Sequence, residues 1–257
     1  MSNSIFIWGM GWLGIPLAHK FLSEKIPITA LTRSQDKKEQ LILDGIEAIT
    51  LFDLKERVEI LTTCQTCIYL VPPKKDMDFL NHLDYVLLNL PDNANFIYTS
   101  STGIYQNKNG MVDENADLDE SSDVFFIERF IRDRKPNCTI LRLGGLIGPN
   151  RHPVHFLTKK AVNLNPSQVV NLVQQADVIE ILFRMILNPN IGIYNFCSEE
   201  HPTRKNYYNQ AANAFGLSEL SFEKSNSESG KIIDSKKIRQ IYHFNEMTSI
   251  YNFDLCK

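Results

Sequence analysis

The chain has 257 residues, 43% of them hydrophobic and 22% charged, the composition of an ordinary globular protein with a full core. A net charge of −3 and a pI near 6.1 argue against nucleic acid or an anionic membrane as partner, and a small molecule is expected instead. The longest apolar stretch, Ile5 to Ala18, is broken by glycines and too short to span a bilayer; a strand starting by residue 4 leaves no room for a signal peptide, and five cysteines without a dense framework suit a reducing cytoplasm.

Ser4 to Trp8 is a short apolar run that reads as the first strand. Gly9-Met10-Gly11-Trp12-Leu13-Gly14 follows at once, and Ile15 to Leu22 has helical spacing. Strand, G-x-G-x-x-G and helix in this order form the dinucleotide-binding fingerprint in its required context. Gly9 permits the tight turn, Gly11 lets backbone N–H groups approach a pyrophosphate, and Gly14 lets the helix pack on the strand. Trp12 and Leu13 belong to the same turn.

Pro27 to Leu31 reads as a second strand ending in Thr32-Arg33-Ser34. An NAD-binding unit places an Asp or Glu about 20 residues after the glycines, to bind the ribose 2′-OH. Arg33 stands there instead, and a guanidinium suits a 2′-phosphate. One such contact is worth about 1.5–3 kcal/mol, so NADP is the expected cofactor and NAD the alternative. Ser34 caps a helix through Leu43, closed by Gly45. Ala48 to Phe52 is a third strand, followed by Asp53, and Glu59 to Thr63 ends a short helix. Cys67 to Val71 is a fourth strand, stopped by Pro72-Pro73. Phe79 to Leu90 is a helix, and Asn95 to Thr99 a fifth strand running into Ser100-Ser101-Thr102-Gly103.

Asn107 to Asp123 is polar and acidic and reads as a loop. Val124 to Arg134 is a helix and Cys138 to Leu143 a sixth strand, with further strands over Val169–Val173 and Ile193–Cys197. Asp177 reads as the N-cap of a helix to Leu187, Thr203 to Phe215 as an amphipathic helix, and Ser235 to Tyr242 as the last helix. Strands alternating with helices at this pitch predict an α/β fold, a doubly wound parallel sheet of the Rossmann type. Ligands of such sheets lie beyond the carboxyl ends of the strands. The candidate cofactor residues on that rim are Gly9, Gly11, Trp12, Leu13, Gly14, Thr32, Arg33, Ser34, Asp53, Val71, Pro72 and Ser100. Lys74 and Lys75 are a weaker addition, since exposed lysines are solvated by default.

Tyr98-Thr99-Ser100-Ser101-Thr102-Gly103-Ile104-Tyr105 resembles the SS(S/T)xxVYG segment of the extended short-chain dehydrogenases/reductases, which include nucleotide-sugar epimerases and dehydratases. Leu141-Arg142-Leu143-Gly144-Gly145-Leu146-Ile147-Gly148-Pro149-Asn150-Arg151 is similar to their lRlxxvyGPgr, and Val170 to Val178 to their fxxVdDva. The match, over roughly residues 4–200, is nearest to the atypical, NAD(P)-binding epimerase-like members. It implies an NAD(P)-binding core over 1–145 and a small C-terminal substrate-binding subdomain over 146–257, with 169–197 returning to the core sheet. It also implies a catalytic hydroxyl at Ser101.

Three departures bear on mechanism. The family's Tyr-x-x-x-Lys belongs near Val124, where this chain has Phe125, Phe126, Arg129 and Phe130, and no tyrosine stands between Tyr105 and Tyr194. The dehydratases' acid pair is replaced by Thr102 and Gly103. The family's G-x-x-G-x-x-G has Trp8 at its first position here. Tyr105 reads as a tyrosine packed behind its strand. His152 is the better substitute acid/base, because an imidazole titrates near neutral pH, and His155 is a second. Thr102, Arg151 and His155 are candidate substrate contacts. No metal is expected: Cys64-x-x-Cys67 lacks a second ligand pair and His152-x-x-His155 a third ligand.

The expected function is that of an NADP-binding oxidoreductase or epimerase-like protein acting on a small polar or nucleotide-linked carbonyl or hydroxyl compound. A rival reading is a non-catalytic NADP-binding regulator or scaffold that has lost the Tyr-x-x-x-Lys pair. A hydroxyacid-type reductase would need a large helical second domain, for which the chain is too short. A homodimer stays open.

Overall fold

The computed structural model of the protein describes residues 4–72, 77–158, 164–222 and 229–257. Its strands are β1 (Ile5–Trp8), β2 (Ile28–Thr32), β3 (Glu47–Thr50), β4 (Thr66–Tyr69), β5 (Asn95–Ser101), β6 (Gly110–Val112), β7 (Cys138–Leu143), β8 (Gly145–Ile147), β9 (Leu172–Gln174), β10 (Gly192–Phe196) and β11 (Lys231–Ile233). Seven form one parallel sheet in the order β10-β7-β5-β4-β1-β2-β3. This is a Rossmann-like α/β fold, with β1 at the point where the chain reverses its direction across the sheet. All four residues of β1 and of β4 are buried, as strands are when helices cover both faces. Trp8, Tyr69 and Tyr98 sit at one level on the adjacent strands β1, β4 and β5 and make a row of rings in the core.

Local chemistry sets the element ends. The hydroxyl of Ser34 accepts from the Lys37 N–H and starts the helix Gln35–Leu43. Gly45, at φ +80°, ends it: the N–H groups of Gly45 and Ile46 bond back to the carbonyls of Ile42 and Leu41. The third strand is shorter than expected, because Leu51 and Phe52 belong to a helix, Leu51–Glu56. Thr50 and Asp53 form a capping box that turns the chain there. Asp177 is not an N-cap. The helix already begins at Gln175, and the Asp177 carboxylate accepts from the Thr248 N–H and hydroxyl instead.

Of residues 169–197, Gly192–Phe196 joins the large sheet, whereas Leu172–Gln174 pairs with Gly145–Ile147 in a separate parallel ribbon. The stretch read as a loop before Asp123 holds the short strand β6, which pairs in parallel with β11. Two compact units result. Unit 1 comprises residues 1–100, 120–141 and 179–193; unit 2 comprises 101–119, 142–178 and 194–257. In unit 2, Ile147, Val170, Leu172, Tyr207, Tyr208, Ile250 and Cys256 form a separate apolar core.

Candidate functional site

The turn after β1 is built by its glycines. Gly9 has φ +111°, and a Cβ there would lie 3.0 Å from the Leu70 carbonyl carbon and 3.1 Å from the Val71 nitrogen. A Cβ on Gly14 would lie 2.2 Å from the Gly9 carbonyl oxygen, so the helix start needs a hydrogen at that position. Gly11 differs: its missing Cβ points into open space, with nothing within 4 Å. The helix Gly14–Ser23 has no side-chain cap and no acid in its first turn. Among the described residues the Ile15 N–H bonds to the Gly11 carbonyl at 3.2 Å and Pro16 has no N–H, so at this helix start the Gly14 N–H and the helix dipole remain for an anion such as a dinucleotide pyrophosphate. Trp12 is half-buried and Leu13 buried within this turn.

At the end of β2, Thr32 is buried and Arg33 exposed. The Arg33 guanidinium makes no hydrogen bond or ion pair among the described residues. Ser34 is engaged as a cap through its oxygen. Asp53 lies one helical turn beyond β3, and its Oδ2 accepts from Lys38 Nζ at 2.7 Å, the Thr50 N–H at 2.7 Å and the Thr50 hydroxyl at 3.0 Å. The Lys38 bond, helped by the Thr50 N–H, holds this carboxyl down at about 2. Beyond β4, Val71 is half-buried and Pro72 exposed; Pro73, Lys74 and Lys75 lie outside the described residues.

Ser100, near the end of β5, is buried and donates its hydroxyl to Glu128 Oε1 at 2.6 Å. Glu128 belongs to the helix Asp123–Arg134 and is 3% exposed. Its sequence signal is a carboxylate beside Ile127 and Ile131 on one helix face. Phe125, Phe126, Arg129 and Phe130 stand on the same helix, which carries no Tyr-x-x-x-Lys.

In unit 2, the Ser101 oxygen accepts from the Gly103 N–H at 3.0 Å and caps a single 3-10 turn, Thr102–Ile104. Its own proton has no partner among the described residues. Thr102 is buried. Tyr105 is buried too; its hydroxyl donates to Asn195 Oδ1 at 2.6 Å and accepts from Arg142 Nη1 at 2.9 Å. Burial raises this phenol despite the guanidinium beside it. Arg151 is exposed and closes a β-turn with Gly148 through two backbone bonds of 3.0 and 2.9 Å. Asn150 at φ +56° takes the third place of that turn, after Pro149.

His152 does not sit as an acid/base group in an open loop. It is 5% exposed, packed against the rings of Tyr207, Phe215 and Phe253. The Val154 N–H donates to Nδ1 at 3.2 Å, so the proton resides on Nε2, 2.8 Å from the Tyr207 oxygen. Tyr207 in turn donates to the Ile250 carbonyl at 3.1 Å. Burial, aided by His155, pushes His152 down to about 4. His155 is half-buried, its ring 4.7 Å from that of Phe215. All five cysteines are buried free thiols, and burial pushes Cys64 up to about 12. Among the described residues, no three His, Cys, Asp or Glu side chains gather to hold a metal, and no helix is long and apolar enough to cross a membrane.

No protein-family model matches the chain. Protein YeeZ of Escherichia coli K12 is 30% identical over 268 residues, covering 92% of this chain and 93% of its own length. Among solved structures, a functionally unknown conserved protein from Silicibacter pomeroyi superposes with a TM-score of 0.78 at 18% identity, covering 98% of this chain and 96% of its own. The Bordetella bronchiseptica enzyme WbmH, solved with NAD+, gives 0.77 at 15% identity, covering 99% and 96%. The UDP-glucuronic acid 4-epimerase of Bacillus cereus, solved with UDP-glucuronic acid and NAD, gives 0.76 at 16% identity, covering 98% and 97%. At these identities the likeness to the solved structures is one of fold.

Proposed function

The chain belongs to the family of Escherichia coli protein YeeZ, and from that premise we propose that it is a member of the extended short-chain dehydrogenases/reductases, an NADP-dependent oxidoreductase or epimerase-like enzyme acting on a small polar or nucleotide-linked carbonyl or hydroxyl compound. The observation that carries this reading is the Gly9–Gly14 turn. Two of its glycines are required by the protein's own backbone, while the third, Gly11, faces open space at an uncapped helix start. The solved relatives in fold with NAD bound are in keeping with it.

In this reading Gly9, Gly11, Trp12, Leu13 and Gly14 hold the pyrophosphate. Thr32, Ser34 and Arg33, which has no partner among the described residues, receive the adenosine ribose and its 2′-phosphate. Val71, Pro72 and Ser100 line the remaining rim of unit 1. Asp53 serves by fixing Lys38 and the cap at Thr50 rather than by touching the cofactor. The nicotinamide, when bound, accepts or returns a hydride. Ser101 has an unassigned proton and is the group that donates to the substrate oxygen. Arg151 and His155 serve as substrate contacts, whereas Thr102 and His152 hold unit 2 together. Buried thiols throughout suit a reducing cytoplasm.

A second reading, a non-catalytic NADP-binding regulator, is favoured by one observation: the helix Asp123–Arg134 offers phenylalanines and a Ser100-bound glutamate in place of a phenol and an ammonium. Titrating NADPH and NADH against the fluorescence of Trp8 and Trp12 tests both. NADPH binding with turnover of nucleotide-sugar ketones or small aldehydes supports the enzyme. NADPH binding without turnover across a broad panel supports the regulator, and no response to either nucleotide overturns both.

A further inference from the structure

Lys231 is a half-buried lysine whose ammonium is under-used. Its Nζ donates to the Tyr105 carbonyl at 3.0 Å, and this is its one hydrogen bond among the described residues. It has no carboxylate within ion-pair distance there, and Asp119 acts on it only from further off. Among the described residues two of its three N–H donors meet no protein acceptor, in half-buried surroundings that already disfavour the charge. Burial lowers its proton affinity, with Asp119 acting the other way.

The backbone below this side chain is fixed more firmly than a surface lysine requires. Lys231 starts β11 and pairs with Gly110 of β6. The Gly230 N–H donates to Asn109 Oδ1 at 2.8 Å. Asn171 grips the strand on both sides of residue 232, donating to the Lys231 carbonyl at 2.9 Å and accepting from the Ile233 N–H at 3.0 Å. Tyr105, which receives the ammonium, closes the 3-10 turn that Ser101 caps. The ammonium is thus tied to the residue that ends the 3-10 turn Thr102–Ile104, and the Ser101 hydroxyl, whose proton has no partner among the described residues, stands at the start of that turn. Within unit 2 the two offer what an oxyanion-bearing molecule needs: a positive charge with spare donors and an O–H.

The geometry points to Lys231 as the residue that receives an anionic oxygen group, a phosphate or a carboxylate, of the small molecule presented to Ser101. This deepens the functional reading above and rests on it only in calling that molecule the substrate. Anion binding at Lys231 stands or falls separately.

Lysine-selective 13C NMR of the full chain reads it directly. The Lys231 ε-carbon resonance is identified by its loss in Lys231→Arg, a change that keeps the charge and the fold. Sodium phosphate and sodium acetate are titrated in separate arms, with sodium chloride at matched ionic strength as control. A saturating shift of that resonance with phosphate, with acetate or with both supports the assignment, and the arm that saturates names the group. A shift no larger than in chloride overturns it. NADPH titration of wild type and Lys231→Arg separates the two claims: equal binding is expected, and absence of NADPH binding in both overturns the functional reading while leaving the NMR result in force.

Discussion

Arg142 donates from Nη1 to the phenol oxygen of Tyr105 at 2.9 Å, across 37 residues of chain, and both side chains are buried. The same oxygen donates to Asn195, whose N–H is taken by Glu114 Oε1 and whose side-chain amide donates to the Asp234 carbonyl. One hydroxyl thus joins three distant segments of unit 2. Tyr105→Phe removes it and leaves a buried guanidinium and a buried amide oxygen each short of a partner. The expected loss is about 1–3 kcal/mol, read as a lower urea midpoint, with NADPH affinity unchanged. Weakened NADPH binding in this variant would tie Tyr105 to the cofactor and contradict its structural assignment.

The glycines of the first turn separate folding from binding. Gly14→Ala puts a methyl 2.2 Å from a backbone oxygen that cannot yield cheaply, and is expected to cost about 1–3 kcal/mol or to prevent folding. Gly11→Ala meets nothing within 4 Å and should alter stability by less than about 0.5 kcal/mol. If a pyrophosphate lies over Gly11, that same change weakens NADPH binding at least about tenfold, roughly 1.4 kcal/mol. A Gly11→Ala protein that binds NADPH as wild type does would remove the cofactor from this turn.

The proposed role of Arg33 is to set the choice between the two nicotinamide cofactors. Its guanidinium is exposed and has no partner to be torn from among the described residues, so replacement leaves the fold intact. Arg33→Asp should weaken NADPH about ten- to a hundredfold and spare NADH. Equal weakening of both, measured by fluorescence titration, would assign Arg33 to the shared part of the cofactor.

His152 makes stability depend on pH. Its folded value of about 4 lies below the ordinary 6.5, so the unfolded chain binds the extra proton first. The contribution is therefore present above pH 6.5 and is lost as pH falls from 6.5 toward 4. Over that window it amounts to about 3 kcal/mol, of which about 2 kcal/mol is gone by pH 5. His201, also held low by burial, tilts stability in the same sense, so the difference between proteins is the measurement. Urea unfolding at pH 7 and pH 5 should show a smaller drop for His152→Leu than for wild type. An equal drop would mean that the imidazole charges in place without loss of its bonds.

Much of the fold was legible because its signals are local. Ser34 and Gly45 bracket their helix as cap and closing glycine, and β7 spans the six residues read from the sequence. The end of the third strand is set by a local signal as well: Thr50-x-x-Asp53 is a capping box, and it stops the strand at Thr50, two residues before Phe52. The site was less legible, because its defining contacts are distant in sequence. Nothing near Ser100 announces Glu128, and nothing near His152 announces Tyr207, 55 residues on, whose hydroxyl lies 2.8 Å from the buried imidazole. The pairing of Asp53 with Lys38 likewise appears only when helix Gln35–Leu43 lies beside β3.

The order in which the chain visits its two units has a consequence for handling the protein. Each unit is assembled from three separate stretches, and the polypeptide passes from one to the other five times. Truncation after residue 145 strips 179–193 from unit 1 while leaving 101–119 and 142–145 behind without the remainder of unit 2. Neither unit is then a fragment that a single cut can release. Residue roles are best dissected by point substitution in the intact chain, and fusion partners or labels belong at its ends.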